Sequence, residues 1–185
     1  MRAEIIESHK RLAEIVQAYK TLGQRIAFTQ GTWDMFHEGH GDYLEKARLS
    51  ADLLIVAVDS DELTRERKGP DRPFDPEEGR MSVISLLRPV DFIIKKGVEE
   101  HEHDLLKLIR PDVFIISKST GKEIQKDIKE FEKYAGEVLN LVPQSSNSTT
   151  AKFLRLKKGV FEEFEGDLME LLKNARAKIE GKESK

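Results

Sequence analysis

The chain has 185 residues, 38% of them hydrophobic and 35% charged, a single domain's length with enough apolar matter for a core. It contains no cysteine, which excludes a disulfide scaffold, thiol catalysis and a cysteine-ligated zinc site. Thirty-one basic residues against 34 acidic ones leave a net charge of −3, so no nucleic-acid partner is expected, because such binders carry a strong basic excess.

The N-terminus, MRAEIIESHKR, has no hydrophobic segment behind its charges, and no window approaches the roughly 18 apolar residues of a membrane span. A cytoplasmic location with no membrane partner is therefore expected. Residues 1–24 place Ile5, Leu12, Ile15, Val16 and Tyr19 at helical spacing, and Gly23 supplies a stop. The period then changes. Arg25–Gln30, Leu53–Val58, Asp91–Ile94, Val113–Ile116 and Val138–Val142 are short apolar or β-branched runs. Four of these are near-continuous rather than alternating, as in strands covered on both faces. Helical stretches at about 39–50, 76–87, 98–109, 121–135 and 148–158 separate them, and such alternation predicts a doubly wound parallel sheet of five strands. Residues 25–158 are read as that unit, and 159–185 as a further helix and tail with Phe161, Phe164, Leu168, Leu171 and Ala175 on one face.

In open parallel sheets, ligands bind beyond the carboxyl ends of the strands, at the switch in strand order. The loop after the first of these runs is the most informative stretch, FTQGTWDMFHEGHGDYL from Phe28 to Leu44. A strand ends near Gln30, and His37 and His40 sit three apart around Gly39 where a helix begins. A helix N-terminus offers unpaired N–H groups and a positive dipole end, which suits an anion. Gly31 and Gly39 let the backbone approach a phosphate, and Thr32 adds a hydroxyl. Two imidazoles held there can donate hydrogen bonds to oxygens that gain charge during transfer. Zinc is the competing reading, but the helical zinc motif needs histidines four apart plus a third ligand, and this pair is three apart.

GTWDMFHEGH resembles the G-[TC]-[FW]-D-x-x-H-x-G-H signature of the cytidylyltransferase-like superfamily. The likeness continues through Val58-Asp59-Ser60-Asp61, Arg67-Lys68-Gly69-Pro70-Asp71-Arg72-Pro73, Glu77-Glu78-Gly79-Arg80, Arg88-Pro89-Val90-Asp91 and Ser148-Thr149-Thr150. It covers about residues 20–158. The chain is most similar to the heptose-1-phosphate adenylyltransferase domain and more distantly to glycerol-3-phosphate cytidylyltransferase. The resemblance implies an α/β, Rossmann-like fold and an enzyme that transfers NMP from ATP or CTP to a small phosphorylated acceptor, releasing pyrophosphate. A sugar 1-phosphate is the favoured acceptor, an alcohol phosphate the alternative, and a nucleotide-binding regulator without turnover the alternative of another class. Mg²⁺ would enter with the triphosphate.

The same resemblance implies site roles. His37, His40 and Lys68 would be catalytic, with Arg67 the fallback for Lys68. Gly31, Thr32, Trp33, Gly39, Arg88, Ser148, Thr149 and Thr150 would bind nucleotide. Asp34 and Asp61 would contact the acceptor, a metal or the ribose, with a turn or cap role equally open; Arg80, like Arg88, would lie near the phosphates, with a salt bridge to Glu77, Glu78 or Asp91 as the competing reading. The segment Arg65–Pro73, basic and broken by Gly and Pro, is expected to be mobile until a triphosphate orders it. His101 and His103 are expected on a solvated helix start. After the fourth run the chain has Ser117-Lys118-Ser119-Thr120-Gly121 where sugar-nucleotide relatives carry a glycine-aspartate element. The arginine that glycerol-phosphate enzymes carry before S-T-T is also missing. The two apolar terminal stripes exceed a minimal unit's needs, so a homodimer is expected.

Overall fold

The computed structural model describes residues 2–101, 103–117 and 128–141, and within the C-terminal segment residues 156, 158–159, 161–169 and 171–172. It divides into two compact units, Met1–Ser146 and Asn147–Lys185.

The first unit runs β1 (Glu4–Ile6), α1 (His9–Thr21), β2 (Ile26–Gly31), α2 (Glu38–Arg48), β3 (Leu53–Asp59), α3 (Asp61–Lys68), α4 (Glu77–Ser85), β4 (Phe92–Lys96), α5 (Asp104–Ile109), β5 (Val113–Ser117), α6 (Ile128–Phe131) and β6 (Glu137–Leu141). The strands form one sheet in the order β1-β4-β3-β2-β5-β6, and every pairing is parallel. The order reverses between β2 and β5, so the ligand edge lies where the sequence places it.

The sheet has six strands rather than five. Glu4–Ile6 pairs with Phe92–Ile94, so Ile5 belongs to an edge strand and not to the helix. α1 starts instead at His9, where the Ser8 hydroxyl accepts the Arg11 N–H at 3.3 Å. That capping bond satisfies one of the orphan donors of the first turn. At the other end Gly23, at φ 73°, turns the chain into β2, a conformation that costs an L-residue and not a glycine.

β3 reads LLIVAVD and is buried along its whole length because both faces are covered. Leu53, Ile55 and Ala57 join α1 and α5 in one core cluster. Leu54, Val56 and Val58 join α2 and α4 in the other. The α1 stripe is spent here: Leu12, Ile15 and Val16 are buried against their own sheet, so it offers no face to a twin. Leu12 is fully buried, and Leu12→Ala should cost about 2–5 kcal/mol, the usual range for emptying a packed site. Urea denaturation checks this, and the oligomeric state should not change.

Several boundaries move. α5 begins at Asp104, six residues after the expected start. His103 stands half-buried at its N-cap position without a side-chain capping bond, its ring edge-on to Phe131 at 5.3 Å between centroids. It is therefore a packed residue and not a solvated one, while His101 is exposed. The second unit contains a helical run at 161–169, with Phe161, Phe164, Leu168 and Leu171 exposed. Among the described residues no helix is long and apolar enough to cross a membrane.

Candidate active site

The loop between β2 and α2 carries His37 and His40, and its shape is enforced from below. Trp33 and Met35 adopt positive φ, 59° and 46°, a region that costs an L-residue on the order of 1–3 kcal/mol and persists only when neighbours over-determine it. They do so here. The Trp33 indole is buried and donates to the Ala57 carbonyl at 3.0 Å. Asp34, between them, accepts the Phe74 N–H at 3.0 Å and the Asp75 N–H at 3.0 Å, and pairs with Arg72 at 2.6 Å. The Met35 N–H donates to Asp75 at 3.0 Å.

Held in this way, the loop delivers His37 to the N-cap of α2 in an extended conformation. One turn on, His40 brings its ring against that of His37, with centroids 3.9 Å apart and planes 19° apart. Residues three apart share a helix face, and Gly39 between them is buried. Trp33 meets the His40 ring edge-on at 5.5 Å and Phe36 lies at 5.2 Å. The pair is half-buried and stands where the unpaired N–H groups and dipole of α2 favour negative charge.

Several residues read as ligand contacts hold the frame instead. The Thr32 hydroxyl turns inward and donates to Asp59 Oδ2 at 3.1 Å. Trp33 is core, supporting His40. A methyl at Gly31 would meet the Trp33 indole at 3.4 Å, an ordinary van der Waals contact. Asp34 has both oxygens engaged. Arg80 is fully buried and its guanidinium ties three segments: it donates to the Thr32 carbonyl, to the Asp75 carbonyl at 2.9 Å and to Asp61 at 2.6 Å. A salt bridge does hold Arg80, but to Asp61 and not to Glu77, Glu78 or Asp91, and it engages Asp61 as well. Arg88 lies in the turn after α4 and before β4, at the amino ends of the strands and across the sheet from the histidines. Among the described residues no hydrogen bond or ion pair links it to their site. Ser148, Thr149 and Thr150 lie outside the described residues.

Arg80→Ala should lower stability by about 3–5 kcal/mol, the cost of stranding a buried pair. The result should fall toward the lower end, because Asp61 is partly exposed. Urea denaturation measures it, and Arg80→Lys should lose most of the same energy, since one ammonium cannot span three acceptors.

Lys68 closes α3 and therefore belongs to a helix end, as do Arg65 and Arg67. Only the segment from Gly69, at φ 99°, is loop, and Asp34 pins it at Arg72, Phe74 and Asp75. The expected open, mobile loop is thus a helix end followed by a clamped return. Lys68 is exposed, yet its ammonium titrates below the ordinary lysine value. Lost hydration is the main cause and Arg72 and Arg67 add to it, while Asp59 and Asp34 pull the other way. These neighbours put Lys68 beside the loop that carries the histidines.

The sequence reading missed Asp59, Arg72 and Asp75. Asp59 had left a signal, a carboxylate ending an otherwise wholly apolar strand, and Arg72 stands in the quoted stretch Arg67–Pro73; Asp75 had left none.

A family model described as cytidylyltransferase-like matches residues 28–175. The bifunctional protein HldE of Acidiphilium cryptum is 34% identical over 152 residues, which are 82% of this chain and 31% of that protein. HldE of Alcanivorax borkumensis is 35% identical over 160 residues, 82% of this chain and 32% of the relative. The chain thus spans about a third of the length of these curated relatives. Among solved structures, the lipopolysaccharide core biosynthesis protein from Thermoplasma volcanium aligns with a TM-score of 0.54 at 24% identity, covering 66% of this chain and all of that one. Pantothenate synthetase from Thermus thermophilus aligns at 0.54 with 16% identity, over 77% of this chain and 62% of its own; both likenesses speak for the fold. With a family model over most of its length and the signature histidines paired at the switch-point edge, the chain belongs to the cytidylyltransferase-like family.

Proposed function

We propose that this chain transfers an adenylyl group from ATP, with CTP the alternative donor, to a sugar 1-phosphate, releasing pyrophosphate. The observation that carries this is the His37–His40 pair, stacked at the N-terminus of α2 on the ligand edge. The likeness to the heptose-1-phosphate adenylyltransferase domain supports the choice of donor and acceptor. An acceptor phosphate oxygen attacks the α-phosphorus in line and pyrophosphate leaves. No covalent nucleophile is required. The chain's contribution is positioning and stabilisation of charge: imidazole N–H groups and the end of α2 meet the oxygens of the transferring group, and Lys68 meets the leaving phosphates.

Magnesium would neutralise triphosphate charge. Among the described residues there is no group of three or more side chains suited to hold an ion, and Asp34 and Asp61 are committed to Arg72 and Arg80. The ion is therefore proposed to arrive on the triphosphate, held by phosphate oxygens and water, as a hard octahedral cation can be.

We place the enzyme in the cytoplasm as a homodimer, with its contact on the exposed Phe161/Phe164/Leu168/Leu171 stripe. Light scattering should return twice the chain mass of 21.2 kDa; a monomer mass at micromolar concentration would contradict the dimer. The function itself is tested by a pyrophosphate-release screen crossing four NTPs with sugar 1-phosphates, glycerol 3-phosphate and other phosphorylated acceptors. Release that depends on the acceptor supports the enzyme, and nucleotide binding without release in any pairing favours a regulator.

A further inference from the structure

Asp59 ends β3 with its side chain only 3% exposed. Its Oδ2 accepts the Thr32 hydroxyl at 3.1 Å and Arg67 Nη1–H at 3.4 Å. Its Oδ1 is buried and has no hydrogen-bond partner among the described residues. A carboxylate sealed in this way must have its charge met from within the protein, and Arg67 is the basic group in contact with it. The Arg67 side chain is itself 43% exposed. One edge of the guanidinium is therefore fixed and the remainder is open.

What lies beside that open edge is the candidate site. Arg67 precedes Lys68 at the end of α3, and Thr32, the other group on Asp59, begins the loop that carries the histidines. Lost hydration chiefly, and after it the charges of Arg72 and Arg67, depress the Lys68 ammonium, so these two cations lie close to it. That crowding is unfavourable in the free protein and is relieved when a multiply charged anion arrives. Arg67 on Asp59 and the nearby Lys68 ammonium disfavour a divalent cation on Asp59 Oδ1.

We infer that Asp59 is a positioning residue for triphosphate recognition, fixing the Arg67 guanidinium, and through Thr32 the histidine loop, so that Arg67 meets the outer phosphates beside Lys68. This rests on the nucleotidyltransferase reading and adds a second cation to it. It follows that Asp59 acts through Arg67, and that both matter for the β- and γ-phosphates rather than for the nucleoside.

The test is calorimetry of ATP and AMP, and of CTP and CMP, on wild type, Asp59→Asn, Arg67→Ala and the double variant. Asp59→Asn keeps the volume and an acceptor for Thr32 while removing the charge. Each single variant should weaken triphosphate binding about tenfold, the scale of one charge-assisted contact, and leave monophosphate binding within about threefold. The double variant should also lose about tenfold, because groups acting as one unit are not additive. Equal weakening of both ligands, an unchanged triphosphate affinity, or a loss multiplying to about a hundredfold would each overturn the inference. Should Asp59→Asn fail to fold, Arg67→Ala alone decides it by whether the triphosphate-to-monophosphate affinity ratio falls. If wild type binds neither ATP nor CTP, the nucleotidyltransferase reading falls and takes this one with it; binding with an unchanged ratio sinks this inference alone.

Discussion

His37→Ala and His40→Ala each lower kcat by about 10²–10³-fold, the usual loss for one donor to a charge that develops in the transition state. Nucleotide affinity falls much less, because the N–H groups of α2 still meet the phosphates of the ground state. The separation matters: an interaction made equally in ground and transition state would raise KM and leave kcat alone. The rings are 3.9 Å apart and nearly parallel, so each limits the other's motion. Removing both should therefore cost less than the product of the single losses, as expected for groups that act as a unit. Steady-state kinetics on the three variants checks this. Wild-type turnover in either single variant would remove the pair from the chemistry. Trp33→Phe offers a quieter control: it deletes the indole bond to Ala57 and loosens the wall behind His40, so kcat should drop without any loss of a group that touches substrate.

Lys68→Ala slows the chemical step by about one to three orders of magnitude, the range for losing a charged contact to a transferring phosphate. Monophosphate binding should hold, since that ligand has no outer phosphates to grip. Lys68→Arg should restore only part, because a planar fork does not replace a compact ammonium. The pH dependence follows from the lowered Lys68 pKa. As pH rises through that value the ammonium loses its proton and with it the attraction for the triphosphate. kcat/KM for the nucleotide, which reports the free enzyme, should therefore fall on the alkaline side at a pH below the ordinary lysine range. In Lys68→Arg that limb should vanish, because guanidinium stays charged throughout. An unaltered alkaline limb in this variant would show that Lys68 is not the group responsible.

The fold was legible wherever burial leaves a long signal. The runs Leu53–Val58 and Val113–Ile116 are apolar without a break because both faces of the sheet are covered, where a half-buried strand would alternate. β1 was not legible, because Ile5 falls in step with the helical stripe of Leu12, Val16 and Tyr19, and three residues are too few to show a period of two. Ser8 marked the true start of α1, since a serine just before a helix is a cap, but the apolar stripe ran past it. The site was legible in its histidines, whose i, i+3 spacing at a helix start has a direct physical consequence. It was not legible in the division of labour around them. Thr32, Trp33 and Asp34 stand in the same signature as the histidines, and Arg80 in a later stretch of the same resemblance, because a strained loop needs its clamps as much as its reactive groups. Spacing alone does not separate a residue that faces the ligand from one that holds the loop beneath it. That distinction needed the buried contacts: the Thr32 hydroxyl on Asp59, the indole on Ala57, and the guanidinium of Arg80 spanning Thr32, Asp75 and Asp61.

The central claim is attack on the α-phosphorus with pyrophosphate as the leaving group, and phosphorus NMR of a single reaction mixture tests it most directly. Wild type, ATP or CTP, magnesium and the acceptor chosen by the release screen should give inorganic pyrophosphate and a nucleoside diphosphate-linked product in equal amounts, neither forming without acceptor. Appearance of nucleoside diphosphate with a newly phosphorylated acceptor would place the attack on the γ-phosphorus and contradict the account.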